Sequence, residues 1–266
     1  MKKIKIIAVL TALIVLFSLF ACTGGEEVHN IEFEVIDNLT EQLLNYRINI
    51  TGSNACSCCR GLSMPSILPR PETFADFNEI AEEQMWIGRV AVIGDHESIL
   101  CNSSPIGGAT LTTLIVLEQF NTSFVGEYLN PGDLIRVRER YVTEDGEVVI
   151  SLGANSVRWF VPMVAGEEYL AYLNFFIARE PELIDGEFVY PPYEASVEYA
   201  FPVNDREDNR IHQRFEESVF QRSVSLFGTH GANERFAFRD MLANGAREKY
   251  LGIAPPASGQ PPLETE

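Results

Sequence analysis

Basic residues are scarce. Twenty Lys and Arg stand against 38 Asp and Glu, a formal net charge of −18 over 266 residues. Three of the cations, Lys2, Lys3 and Lys5, lie at the extreme N-terminus, so the chain beyond residue 21 carries 17 basic against 38 acidic residues, a net −21. A surface this negative repels phosphate backbones, and no compact basic patch overrides it; nucleic acid is excluded from the expected partners. Histidine is sparse too. His29, His96, His212 and His230 form no His-x-x-x-His pair that suits a metal. Asp95-His96 reads as a hydrated turn after a strand rather than a catalytic dyad. His212, among Arg210, Arg214 and Glu216, reads as part of a solvated helix face. No serine occupies a Gly-x-Ser-x-Gly elbow. Gly107-Gly108 lacks the lysine of a phosphate cradle. Asp205, Glu207 and Asp208 miss the spacing of a calcium loop and suit a helix start, where the dipole favours acidic groups. There is no internal repeat and no constellation that points to catalysis.

The first 21 residues form a leader. Met1-Lys2-Lys3-Ile4-Lys5 is a positive start, Ile6 to Phe20 is apolar but for Thr11 and Ser18, and Leu19-Phe20-Ala21-Cys22 follows. The apolar run is short for a spanning helix, which needs about 20 residues, and has the build of a secretory signal. Leu19, Ala21 and Cys22 resemble the cleavage motif of bacterial lipoprotein signals, with Phe20 standing where a small residue is usual. The resemblance implies that Cys22 becomes the mature N-terminus and carries a diacylglyceryl thioether. Two acyl chains give stable attachment where one is marginal. The expected address is therefore the extracytoplasmic side of the cell membrane, with residues 22–30 as the lipidated cysteine and its tether.

Beyond the tether the pattern is mainly β with accessory helices. Ile31, Phe33 and Val35 alternate with Glu32 and Glu34 as in a half-buried strand. Leu39 to Ile50 holds a helical turn and then a strand from Tyr46, and residues 51–71 form a loop rich in Gly, Ser, Pro and Cys. Thr73 to Trp86 is a helix, capped by Thr73 with Asp76 three residues on. Strands follow at Ile87–Ile93 and Thr110–Phe120. Asn130-Pro131-Gly132-Asp133 is a turn. Leu134 to Val142 is a strand with Ile135 and Val137 inward, and Asp145-Gly146 makes a two-residue hairpin to Val148, Ile150 and Leu152. Further strands fall at Val157–Val161, Glu168–Phe176, Phe188–Tyr190 and Ala195–Phe201. Helical spacing then takes over at Asp205–Leu226 and Asn233–Ala243. The division expected is a β-barrel domain over 31–202, a helical segment over 203–253 and a Pro-rich tail over 254–266. Tyr190, Tyr193 and Tyr199 read as core and edge packing rather than a recognition strip.

Within the β region a set of signals recurs in a familiar order. Cys56-Ser57-Cys58-Cys59 opens it; Phe74-Ala75-Asp76 leads into Ile87-Gly88-Arg89-Val90; Leu114-Ile115-Val116-Leu117, Pro131-Gly132-Asp133 and Val164-Ala165-Gly166-Glu167-Glu168-Tyr169-Leu170 follow. This order resembles the OB-like barrel of the netrin and TIMP (tissue inhibitor of metalloproteinases) type, and lipoproteins of Gram-positive bacteria that share it. The resemblance covers about residues 56–176. It implies a small OB-like β-barrel, so the fold expected is that barrel plus the C-terminal helices read from the spacing.

Four cysteines remain beyond Cys22: Cys56, Cys58, Cys59 and Cys101. Export favours disulfides, and four cysteines allow three pairings. Vicinal Cys58–Cys59 is an unfavourable bridge, which leaves Cys101 with one of the three, and Cys56 with Cys59 as another pairing. Cys56-x-x-Cys59 has redox spacing but no helix N-terminus to lower a thiol pKa. The same thiols suit Zn²⁺ or Cu(I); no other cofactor is expected. The leading expectation is a membrane-anchored, non-catalytic binding module for a protein or small molecule. Metal or thiol-redox handling by the cysteine cluster is a second. Protease inhibition, implied by the resemblance, is a third; Cys56-Ser57-Cys58 copies the Cys-x-Cys text of those inhibitors, but not its place at a free N-terminal amine.

Overall fold

Alternation along the strands decides which residues meet in the core. A computed structural model describes residues 31–36, 39–51, 71–100, 108–121, 129–151, 161–175, 182–184, 187–189, 193–204 and 210–254. The leader, the tether, the Cys-rich loop, all of the expected strand Val157–Val161 but its last residue, and the tail after 254 lie outside them. The elements run in order as α1 (Thr40–Asn45), β1 (Arg47–Thr51), α2 (Phe74–Gln84), β2 (Trp86–Leu100), β3 (Gly108–Gln119), β4 (Leu134–Glu139), β5 (Tyr141–Glu144), β6 (Glu147–Ser151), β7 (Glu168–Phe175), β8 (Glu182–Ile184), β9 (Glu187–Val189), β10 (Tyr193–Pro202) and α3 (Arg210–Leu251).

Five strands close into a barrel in the order β10-β4-β3-β2-β7, and β7 pairs back with β10. Four of the five pairings are antiparallel; β10 with β4 is parallel, Ile135 opposite Tyr193 and Arg138 opposite Ser196. A second sheet, β1-β6-β5, carries the Asp-Gly hairpin where it was predicted, with Asp145 at φ 48° and Gly146 at φ 77°, the positive angles of a type I′ turn. The helix predicted after Thr73 is also present. The Asp76 N–H donates to Thr73 Oγ1 (3.2 Å), and the Thr73 hydroxyl returns a bond to Asp76 Oδ2 (2.7 Å).

Two apolar clusters share the barrel wall. Tyr169, Ala171 and Leu173 of β7 point into the barrel with Trp86, Val90, Leu114, Ile135 and Val137. The intervening Leu170 and Tyr172 face outward and pack under Phe77 and Ala81 of α2 and Phe238, Leu242 and Ala246 of α3. In β10 a bulge between Val197 and Tyr199 swaps the faces: Ala195 and Val197 belong to the interior, Tyr199 and Phe201 to the outer cluster. Helix α3 serves both clusters because it breaks at Gly228 (φ 73°). Ile211, Phe215 and Val219 before the break join the barrel core, and Phe238 and Leu242 after it join the outer one. The two predicted C-terminal helices are these two halves.

Several expectations need correction. Residues 31–35 form no strand; the one pairing there is an isolated bridge, Ile36 with Gly94. Leu134–Val142 is two strands rather than one: the chain bends at Arg140, so β4 stays in the barrel while β5 leaves it for β6. Strand β2 runs on to Leu100, well past Ile93. Bulges at Gly94 (φ 96°) and Asp95 (φ 56°) bend it without ending its ladder with β3.

A single side chain ties the end of α2 to the barrel. Buried Asn121 accepts from the Ile87 N–H (2.8 Å) and donates to the Met85 carbonyl (2.6 Å) and the Glu82 carbonyl (3.1 Å). Those carbonyls belong to the last turn of α2 and to Met85, the residue that caps it, and that turn has no basic residue to satisfy them. Asn121→Ala leaves an N–H and two carbonyls without this partner and is expected to cost about 3 kcal/mol, read as the shift in a urea unfolding curve. A cost well under 1 kcal/mol would show that water takes over the role.

Candidate functional site

The strand parity that buries Ile135 and Val137 also buries Glu139, at the inner end of β4. Its fully buried carboxylate sits in a file of polar groups at one end of the barrel. The Thr112 hydroxyl donates to Glu139 Oε1, and the Met163 N–H donates to Oε2 (2.9 Å). Thr112 is in turn 2.9 Å from His96 Nδ1. Next along the face, Thr110 donates to the Tyr141 carbonyl (2.8 Å), while Ser98 Oγ lies 3.0 Å from Thr143 Oγ1 and accepts from the Thr143 N–H (3.1 Å). Register explains the assembly: Thr110 stands opposite Glu139 and Ser98 opposite Thr110, so alternate residues of three neighbouring strands share one face.

A second file starts one residue further along the 161–167 segment. The Val164 N–H donates to the Tyr169 hydroxyl (2.9 Å), which lies 2.7 Å from His212 Nε2. Two consecutive backbone amides thus hold the two files side by side.

Burial sets the protonation of both. It pushes the Glu139 carboxyl up from 4.5 to about 8, against the downward pull of Thr112 and the Met163 amide. Burial, with Arg239 adding to it, pushes the His212 imidazole down to about 4. Tyr141 and Tyr169 are pushed upward, again mainly by burial. These four groups are therefore mainly uncharged near pH 7: a carboxylic acid, two phenols and an imidazole. A second buried carboxylate, Glu198 on β10, accepts from Ser196 Oγ (3.3 Å) and lies 4.0 Å from the Arg140 guanidinium.

The outer side of β3 and β4 is chemically different. Leu134, Arg136 and Arg138 point away from the core, Leu134 being 46% exposed. They stand opposite Ile115, Thr113 and Leu111. Arg136 Nη2 is 2.7 Å from Glu97 Oε2. The β3 residues of this side are buried, so what it offers at the surface is Leu134 and the partly exposed Arg136 of β4.

Cys22, Cys56, Cys58, Cys59 and Cys101 all lie outside the described residues. Among the described residues no group of three or more His, Cys, Asp or Glu side chains could hold a metal ion. His212 is not solvated as predicted but buried, because it precedes Phe215 and Val219 by three and seven residues and shares their helix face. His96 belongs to β2, not to a turn. Tyr199 packs edge-on against Phe77 in the outer cluster, as the packing expectation required. Glu139 was missed, although the alternation Ile135, Val137, Glu139 carried its signal. Compared with known proteins, the chain matches no family model, no curated protein and no solved structure.

Proposed function

We propose that this chain is a lipid-anchored, non-catalytic binding module built on an OB-like barrel, tethered through Cys22 to the outer side of the cell membrane. The observation that carries the barrel assignment is the strand order. Numbered along the chain, the five barrel strands neighbour one another as one-two-three-five-four and back to one. The parallel contact is between the third and the fifth, which is the order of an OB barrel. The leader with Leu19, Ala21 and Cys22 supports the anchor. A binding role draws support from where the perturbed groups sit: Glu139, Tyr141, Tyr169 and His212 are packed in the core and bonded within the fold, rather than gathered in a cleft where shifted acids and bases serve catalysis. In OB barrels the face of the second and third strands is the binding face. Here that is the outer side of β3 and β4, reachable at Leu134 and Arg136 of β4. The partner is a protein or small molecule at the envelope.

Two linked measurements test this. Cells fed a clickable palmitate analogue should label the wild-type chain, whereas Cys22→Ser should lose the label and leave the membrane fraction; label retained on Cys22→Ser would remove the anchor. A photo-crosslinking residue at Leu134 should capture a partner that one at Asp145, on the hairpin tip, does not. Equal capture from both positions, or none from Leu134, would remove the binding face.

A further inference from the structure

We propose that Glu139 is a proton-operated latch: neutral, it holds the segment Val161–Glu167 over the end of the barrel, and on giving up its proton to solvent it releases that segment. The geometry gives the latch its parts. Thr112 and Glu139 lie on strands of a closed barrel, held by ladders on both sides. The 161–167 segment has no ladder. Its backbone is held to the barrel by the Met163 N–H on Glu139 Oε2, by the Val164 N–H on the Tyr169 hydroxyl and by a pair of bonds with Val92, the Gly166 N–H to the Val92 carbonyl (2.7 Å) and the Val92 N–H to the Glu167 carbonyl (3.0 Å); the Glu167 N–H closes a turn within the segment on the Val164 carbonyl (3.1 Å). The fully buried Met163 side chain joins the barrel core beneath it.

Among the described residues an ionised carboxylate at this site meets no compensating charge. The titratable groups facing it are His96 from β2, reached through Thr112, Tyr141 from β5 and Tyr169 from β7. Glu167 of the segment and His212 of α3 act on Tyr169 rather than on Glu139. The two phenols are held neutral, and among the described residues no cation counts in favour of the charged acid. A carboxylate so placed must gain water. Moving the unladdered segment admits it at the smallest cost in backbone hydrogen bonds. The release has a reach beyond the barrel end, because Val35 lies against Gly166 and Ile36 bridges Gly94 beside it.

Amide hydrogen exchange on the full chain tests this, corrected for intrinsic rates and followed from about pH 6 to about pH 9. Exchange protection over 161–167 should fall by up to about tenfold per pH unit until about pH 8 and then level off, while β7 stays better protected at every pH. In Glu139→Gln the segment's protection should not change with pH. Thr112→Val, which removes one bond to the ionised form, should carry the fall to higher pH and serves as the test should Glu139→Gln fail to fold. A segment that opens only together with β7, or the same pH profile in wild type and Glu139→Gln, or no displacement in Thr112→Val, would each overturn the latch.

Discussion

Glu139→Gln is expected to abolish the alkaline loss of global stability. Burial raises the native carboxyl from 4.5 to about 8. Below 4.5 the acid is neutral in both states and its contribution is complete. As pH rises, the unfolded chain sheds its proton first, so stability falls until pH passes the native value. The fall amounts to about 5 kcal/mol between about pH 4.5 and about pH 8. His212 works in the opposite direction. Its native value is depressed from 6.5 to about 4, so its contribution is complete above 6.5 and is lost as pH falls towards 4. Between 4.5 and 6.5 the two slopes cancel, and the wild type should show a plateau there. Glutamine keeps an acceptor for the Met163 amide and offers a donor to Thr112 without a charge. Glu139→Gln should therefore remove the alkaline slope and expose the acid slope of His212, about 3 kcal/mol lost from about pH 6.5 to about pH 4. Urea unfolding at stepped pH measures both. A variant whose stability runs parallel to the wild type at every pH would show that Glu139 is already ionised in the native barrel.

The second large effect is expected at Gly88. The Trp86 ring lies across this residue: a Cβ built on Gly88 would fall 2.2 Å from Trp86 Cη2 and 2.4 Å from the Glu118 carbonyl oxygen. The indole cannot simply yield, since Trp86 is fully buried and packs edge-on against Phe175. The carbonyl belongs to β3, the partner strand of β2. Gly88→Ala must displace the ring, the strand pairing or both, at an expected cost of about 3 kcal/mol. Loss of the near-ultraviolet dichroism of Trp86 should accompany it. By contrast, Gly132→Ala meets nothing within 4 Å and strains only its own positive φ of 97°, so it should leave that signal intact. Unchanged dichroism in Gly88→Ala would mean that the ring does not sit where the barrel places it.

What the sequence made legible was local. Thr73 with Asp76, and Asp145 with Gly146, are each settled by atoms a few residues apart, and both appear as expected. Among the barrel strands β4 was visible as alternation and β3 as a β-branched apolar run, and the C-terminal pair of helices as a change of period. Features that depend on a distant partner were not legible. Nothing near Arg140 announces that β5 leaves the barrel, because the cause is pairing with β6. Arg214, read as a surface charge, donates to the carbonyls of Leu43 (2.7 Å), Leu44 and Tyr46 and so closes the end of α1 from the far end of the chain. Glu139 and His212 were both within reach of periodicity. They were passed over because an ionisable side chain is ordinarily read as exposed, and only the partners Thr112, Met163 and Tyr169 make their burial tolerable.

The parallel pairing of β4 with β10 also governs how the chain can fold. It joins residues 58 positions apart, Ile135 with Tyr193, so loop closure must precede any gain from it and the barrel acquires a high contact order. The meander β2-β3-β4 can assemble as soon as residue 139 is available, yet the free side of β4 then waits, a bare edge of unpaired amides, until residues 193–196 arrive. An edge of that kind invites pairing with another chain. Arg136 and Arg138 alternate with the apolar residues of this very strand, and Glu139 ends it. In the nascent molecule those charges are gatekeepers: they keep β4 from the wrong neighbour during the interval before the right one exists, and the acid later buried as a neutral group does its first service ionised and exposed.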